Sequence, residues 1–165
     1  MLNKIDGETF FNKLYEDEEF CKQLGKVMLS AAKLETQLIK LLENSEDNKK
    51  NMQYDITMGV LIRKIENAKL LPENTIIILK ELAEQRNHLT HNIFIIFSDT
   101  IENPKLIEKL KDYQYIKKNL LELTSEEKEY FLYSDTNVYT ERAYILADNL
   151  NSIANSIKSI IKEKK

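Results

Sequence analysis

The sequence is short of the residues that end or constrain secondary structure. Its 165 residues include three glycines, two prolines, one cysteine and no tryptophan. So few turn-forming residues favour helices over a β fold built from many short strands. The single cysteine, Cys21, excludes an internal disulfide and is typical of a protein kept in a reducing cytosol.

Long apolar runs and nucleotide-binding loops are absent as well. No apolar run approaches the roughly 18 residues of a membrane span, and residues 1–11 lack the apolar stretch of a signal peptide. The patterns G-x-x-x-x-G-K-[ST] and G-x-G-x-x-G do not occur. The net charge is −3, so any nucleic-acid contact needs a local basic patch. We expect a cytoplasmic protein that makes no membrane contact.

Helical periodicity is what the sequence has instead. Apolar residues make up 42% of the chain and charged residues 31%, and the apolar ones recur every three or four positions. The predicted helices cover residues 8–43, Thr57 to about Lys69, Pro72 to about Phe97, Pro104 to about Leu121, and about 138–163. The first of them has a break near Asp17, and Thr124 begins a capping box. The expected fold class is all-α, a single-domain helical bundle of about five to six helices over residues 1–165.

Two further assignments concern the connections. The polar residues 43–51 are predicted to form a loop. The β-branched segment at 92–98 is compatible with the end of a helix or with a short strand.

Two charged side chains fall on helix faces that are otherwise apolar. At about 100° per residue, Glu35 lies on the apolar stripe of the first long helix and Arg86 on that of the later one. An unpaired buried charge is costly, so we expect the two to be mostly buried and directly paired, the planar guanidinium matching the carboxylate. The apolar stripe of the first long helix consists of Leu24, Met28, Ala31, Leu34, Leu38 and Leu42. That of the later helix consists of Ile78, Leu79, Leu82, Leu89 and Ile93. The solvated face of the first long helix is expected to carry Lys22, Lys26, Lys33 and Lys40.

The segment QRNHLTHNIF, residues 85–94, contains both histidines and one of only three arginines. Asn87 and His91 are four residues apart and share a helix face. His91 lies about 140° around a regular helix from Arg86. Joint action of Arg86 and His91 therefore requires a curled arginine side chain, a local break in the helix, or a second copy of the chain. Apolar residues near the His91 face favour a twin subunit.

Arg86-Asn87-His88-Leu89-Thr90-His91 is an R-x4-H motif with a polar residue directly after the arginine. It resembles the signature of the HEPN superfamily of all-α domains. The segments LLPENTIIILKELAEQRNHLTHNIF and AAKLETQLIKLL, the second with an inward glutamate, are similar to helices of bacterial members. The looser helical likeness spans residues 20–160.

The resemblance implies a metal-independent endoribonuclease without a cofactor, whose active site forms where two subunits of a homodimer meet. His91 would take the proton from the 2′-OH of RNA, since histidine exchanges protons near neutral pH. Arg86 would stabilise charge on the phosphate oxygens, and Asn87 would orient His91 or the phosphate. Glu35 and His88 would support this site. The products would be a 2′,3′-cyclic phosphate and a free 5′-OH.

The resemblance also implies a biological setting. Such domains often act as toxins or in defence against phage, and some pair with a nucleotidyltransferase antitoxin that modifies a tyrosine two residues after the motif histidine. Ile93 stands at that position in this chain, which puts that form of control in doubt. Many similar domains are catalytically silent, so a non-catalytic helical interaction module, with Glu35 and Arg86 locking the core, stays as the alternative.

Other interpretations of polar residues remain open. Glu84, His88 and His91 share a helix face as metal ligands do, but no second motif supplies ligands from another helix, so no metal is expected. His88 by itself is then expected to be solvated or at a rim. The tyrosines of YFLYSDTNVY and the lysines between 105 and 118 either contact RNA or, as we favour, belong to the core and to a solvated helix face. These side chains are Tyr130, Tyr133 and Tyr139, and Lys105, Lys109, Lys111, Lys117 and Lys118.

Overall fold

The computed structural model describes residues 7–45, 56–92 and 136–164. These ranges contain five α-helices and one π-helix, and no strand. In chain order they are α1 (Gly7–Glu16), α2 (Glu18–Glu43), α3 (Met58–Asn67), α4 (Glu73–Asn87), the π-helix His88–Asn92 and α5 (Thr136–Glu163). The predicted all-α class is confirmed.

Several predictions concern residues outside the described ranges. They are the loop at 46–51, the continuation of the motif helix to Phe97, the helix from Pro104 to Leu121, the capping box at Thr124, and the roles of Tyr130, Tyr133 and the lysines between 105 and 118. They stay predictions, as does the single domain over residues 1–165.

The chain divides into two compact units. One consists of Met1–Gly25 and Asn87–Ile145, and the other of Lys26–Arg86 and Leu146–Lys165. We call the second one the Lys26–Arg86 unit. None of the helices in the described ranges is long and apolar enough to cross a membrane.

Side-chain caps start two of the helices where the sequence predicts. The backbone N–H of Phe20 donates to Oδ1 of Asp17 at 2.8 Å, so the aspartate separates α1 from α2. Thr57 caps α3 by accepting from the N–H of Val60 at 3.4 Å. Each cap satisfies a backbone donor that the helix itself leaves without an acceptor.

The end of α3 uses a left-handed residue. Lys69 has a φ of 51°; its N–H donates to the carbonyl of Glu66, and the N–H of Leu70 donates to that of Ile65. This is the usual hydrogen-bond pattern of a helix C-terminus, with lysine in the place that glycine normally takes. The carbonyl of Pro72 then accepts from the backbone N–H groups of Thr75 and Ile76. The prediction placed Pro72 in the first turn of α4. The structure places it one residue before that helix begins.

In the Lys26–Arg86 unit, α2 and α5 run parallel. Lys33 of α2 contacts Asn151 and Asn155 of α5, and the C-terminal ends of both helices line one cavity of about 220 Å³. The two helices thus meet at their middles and again at their ends. The buried apolar side chains of α2 and α5 in this unit are Val27, Ala31, Leu34, Leu38, Leu41, Leu42, Leu146, Ala147, Leu150, Ala154, Ile157 and Ile161.

The buried faces are rotated relative to the predicted stripes. Met28 is 60% exposed, and Val27 and Leu41 are buried instead. Ile78 is exposed on α4, where Ile76 is buried. On the last helix, Ala154 and Ile161 are buried, whereas the neighbouring Ile153 and Ile160 are only partly buried. An apolar stripe is wider than the contact it makes, so the sequence identifies the face but not which edge of it a neighbouring helix covers.

Candidate functional site

Glu35 of α2 and Arg86 of α4 form a direct ion pair. Nη2 of Arg86 donates to Oε1 of Glu35 at 3.0 Å. On α4, Ile76, Leu79 and Ala83 are buried around the position of Arg86, so the helical step brings this arginine to the protein-facing side. The predicted contact between the two charges is confirmed.

The two side chains are mostly buried, as predicted, but neither is fully buried. The Arg86 side chain is 20% exposed and that of Glu35 is 29% exposed. Glu35 lies at the edge of the α2 stripe, which is rotated away from it as described above. Breaking such a half-buried pair is expected to cost about 1.5–3 kcal/mol, the range for hydrogen bonds to charged groups, and not the roughly 3–5 kcal/mol of a fully buried one. The remaining exposure leaves the guanidinium within reach of a ligand.

The helix changes type inside the motif. The α-helix ends at Asn87 and His88–Asn92 is a π-helix, so the predicted helix continues through the motif but with a local change of type. The adjacent residues His88 and Leu89 are both buried. The chain is therefore packed on more than one side where the α-helix changes to a π-helix. An amphipathic sequence pattern does not predict such packing.

The π-helix changes the angular relation between residues 86 and 91. A π-helix closes its hydrogen bonds over five residues instead of four, so each residue turns through less than the roughly 100° of an α-helix. The separation of about 140° that a regular helix imposes therefore no longer applies. Of the three conditions for joint action of Arg86 and His91, the local break is the one present in the backbone. Single π-turns within helices occur frequently at functional sites.

The other residues of the motif have different environments. Asn87 is exposed, and His88 is only 7% exposed. The expectation of a solvated or rim position for His88 is wrong, because the face opposite the α4 stripe is also covered at this turn. His91 lies in the π-helix, and its side chain is outside what the structure describes. Glu84 is exposed. Within the described residues, no three His, Cys, Asp or Glu side chains are grouped to hold a metal ion.

Arg142 is a buried charge that the sequence interpretation missed. It is 7% exposed, and its guanidinium carbon lies 5.8 Å from the ring centroid of Tyr139, which is buried too. Such a contact stabilises a cation over an aromatic face. The burial of Tyr139 confirms the preference for a core aromatic. Arg142 is three residues after Tyr139 and four before buried Leu146, so the projection that identified Arg86 would have identified it as well.

Lys33 was also misassigned. The prediction placed it on the solvated face of α2, but its Nζ donates to Oδ1 of Asn151 and to Oδ1 of Asn155, each at 2.7 Å. The two asparagines are four residues apart on α5, so their amides lie side by side on one face. We call this arrangement the Lys33–asparagine bracket. The sequence signal was the i, i+4 asparagine pair, which is unusual in a helix interior because asparagine is a poor helix former.

Comparisons with known proteins add no relative. The chain matches no protein-family model, no curated protein and no solved structure.

Proposed function

We propose that this chain is a metal-independent endoribonuclease of the HEPN type. The observation that carries the proposal is the environment of Arg86: a cation on the protein-facing side of α4, held by Glu35 at 3.0 Å and still 20% exposed. It is followed directly by exposed Asn87, and the π-helix that contains His91 begins one residue later. These are the three residues of the R-x4-H motif, with a change of helix type between the arginine and the histidine.

The chemistry needs no group beyond these side chains and RNA. His91 removes the proton from a 2′-OH, and the 2′ oxygen forms a bond to the adjacent phosphorus. The bond from phosphorus to the 5′ oxygen breaks, and that oxygen takes up a proton from solvent water. Arg86 donates to the phosphate oxygens on which negative charge increases. Asn87 orients the phosphate or the imidazole, and Glu35 holds Arg86 in position.

The proposed site is composite, with two copies of the motif meeting in a homodimer. Exposed apolar side chains support a second copy of the chain. Met28 and Leu29 on α2 and Ile77 and Ile78 on α4 are between 47% and 74% exposed, and such side chains are commonly covered by a partner. Light scattering at tens of micromolar is expected to give the mass of a dimer, and a monomer at that concentration would contradict this part of the proposal. A toxin or phage-defence role, with a possible antitoxin partner, belongs to the same proposal.

RNA cleavage by purified protein tests the activity. We expect cleavage to persist in EDTA and to fail with DNA, which lacks the 2′-OH. His91→Ala should reduce cleavage by about 10²–10⁴-fold, the usual worth of general acid–base catalysis. Glu84→Gln, a change at an exposed residue of α4, serves as the matched control and should cleave like the wild type.

Two results would contradict the activity. One is a wild-type protein that cuts no RNA between about pH 6 and 8, the range in which an unperturbed histidine accepts a proton. The other is a His91→Ala variant that cuts as fast as the wild type. Mass spectrometry of the products should detect 2′,3′-cyclic phosphate ends.

One observation favours the alternative of a non-catalytic helical interaction module. The Glu35–Arg86 contact is by itself a sufficient reason for an arginine at this position, because each charge neutralises the other. Under this alternative, Arg86 matters for stability alone, and replacing the pair by apolar residues removes no activity.

A further inference from the structure

The Lys33–asparagine bracket leaves a positive charge uncompensated. Its two acceptors are neutral amide oxygens, whereas Lys22, Lys80 and Arg86 face carboxylates. Lys33 is half-buried, and two amides restrict its ammonium to one place on the surface. An ammonium has three donors, and two of them are used here.

Two more lysines of α2 lie in line with Lys33. Lys26 and Lys40 are seven residues before and after it, and each is exposed. Seven steps of about 100° return to within roughly 20° of the starting direction, so the three ammonium groups lie on one flank of the helix. The line from Lys26 to Lys40 covers fourteen residues, or about 21 Å.

The adjacent flank of α5 continues the same surface. Lys158 and Lys162 are seven and eleven residues after Asn151, which again returns to within roughly 20° of its direction, and both are exposed. Because Lys33 contacts both asparagines and the two helices run parallel, the two lines of residues face the same side. We call this surface the basic strip; its members are Lys26, Lys33, Lys40, Asn151, Asn155, Lys158 and Lys162.

The basic strip is poor in balancing acid. No carboxylate of the described residues lies within ion-pair distance of its five lysines. By the helical step, Asp148 of α5 lies about 60° from Asn151, and Glu43 of α2 about 60° from Lys40. Glu19 lies seven residues before Lys26 and is bound by Lys22 and Gln23. A local excess of positive charge on a chain whose net charge is −3 is the kind of patch that attracts a polyanion.

We propose that the basic strip binds the phosphate backbone of the RNA substrate, with Lys33 held in place by Asn151 and Asn155. The choice of RNA rests on the proposed function, and the length of the strip favours a chain of phosphates. A free anion is reached by one or two ammonium groups, whereas about 21 Å of aligned lysines matches an extended polyanion. Contacts of this kind fix the position of the strand and are insensitive to its sequence.

Binding of a fluorescein-labelled single-stranded RNA of mixed sequence, followed by anisotropy, tests the strip. The measurements use the His91→Ala background so that the probe stays intact. The test variant carries Lys26→Gln, Lys40→Gln and Lys158→Gln, which leaves the Lys33–asparagine bracket in place. The matched control carries Lys13→Gln, Lys64→Gln and Lys69→Gln, which remove the same charge outside the strip.

The test variant should weaken binding by about tenfold or more at low salt, and the dependence of log K on log salt should fall by about 0.7 for each lost contact. The control should bind within about threefold of its parent. Asp148→Asn should strengthen binding, because it removes the neighbouring negative charge. Equal melting temperatures of the variants exclude a loss of fold as the cause.

The proposal is overturned if the test and control variants bind alike, if the parent binds no RNA, or if anionic phosphatidylserine vesicles but not RNA depend on the strip. These results are separate from the cleavage assay. If the protein cleaves RNA but the strip variants bind RNA normally, the proposed activity stands and the proposed binding surface is wrong. If RNA binding depends on the strip but no cleavage occurs, the binding surface stands and the activity is wrong.

Discussion

Lys33 and Glu35 lie two residues apart on α2, and each joins that helix to a different neighbour by a different chemistry. Glu35 meets the arginine of α4, so two opposite charges cancel. Lys33 meets two amides of α5, so its charge remains. Both contacts hold helices together, yet the first favours a neutral core and the second keeps a charged surface. The difference separates a contact that neutralises its charges from one that leaves a positive charge at the surface.

The largest expected change in stability comes from breaking the neutral pair. Arg86→Met should lower the free energy of unfolding by about 1.5–3 kcal/mol, because it leaves the Glu35 carboxylate half-buried without its cation. Adding Glu35→Leu should recover most of that loss, since replacing both partners by apolar groups is often nearly neutral. Thermal unfolding measures both changes, because the melting temperature shifts by roughly 2–4 °C for each kcal/mol of unfolding free energy.

The same double variant separates the two candidate functions. If Arg86 contacts the RNA phosphate, the restabilised Glu35→Leu, Arg86→Met protein should not cleave RNA. Cleavage at the wild-type rate would mean that the pair is structural alone. An Arg86→Met variant as stable as the wild type would contradict the stabilising role of the pair.

A smaller effect is expected at the Lys33–asparagine bracket. Lys33→Ala and Asn151→Ala should show a coupling energy of about 0.5–1.5 kcal/mol in a double-mutant cycle. The cycle is needed because alanine in place of asparagine raises helix propensity by up to about 0.7 kcal/mol, which masks the lost hydrogen bond. Asn155, which is more exposed than Asn151, should couple less. A coupling of zero for Asn151 would show that α2 and α5 need no polar contact there.

The smallest effect is expected at the Lys80–Glu66 pair. Its atoms are 2.7 Å apart, closer than those of Glu35 and Arg86, but the side chains are 54% and 43% exposed. Lys80→Ala should therefore cost only about 0.2–1 kcal/mol. Denaturant unfolding should detect almost no cost at about 1 M salt, where charges are screened within about 3 Å. A cost equal to that of Arg86→Met would mean that distance, and not burial, ranks these contacts.

The helices were predictable where local signals act alone. The cap at Thr57 and the break at Asp17 follow from residues that satisfy backbone hydrogen bonds near themselves in the chain. The limits of the last helix follow from its helical periodicity. The Glu35–Arg86 contact was predictable for a related reason, because a charge on an apolar stripe needs an opposite charge and few were available.

Other features depended on contacts between segments far apart in sequence. The π-helix at His88–Asn92 and the burial of His88 have no periodic signal, because protein covers that turn on more than one side. The burial of Val27, and not of the predicted Met28, has the same origin. A neighbouring helix covers only one edge of a broad apolar stripe.

The sequence by itself determined the all-α class, the starts of two helices, and the pairing of Glu35 with Arg86. The tertiary structure decided that α2 and α5 run parallel and that Asn151 and Asn155 hold Lys33. It also decided how far the pair is buried, with the side chains 20% and 29% exposed. The physical reason is range: capping and helical periodicity act within one or two turns, whereas burial and the alignment of lysines on two helices exist only once those helices are packed.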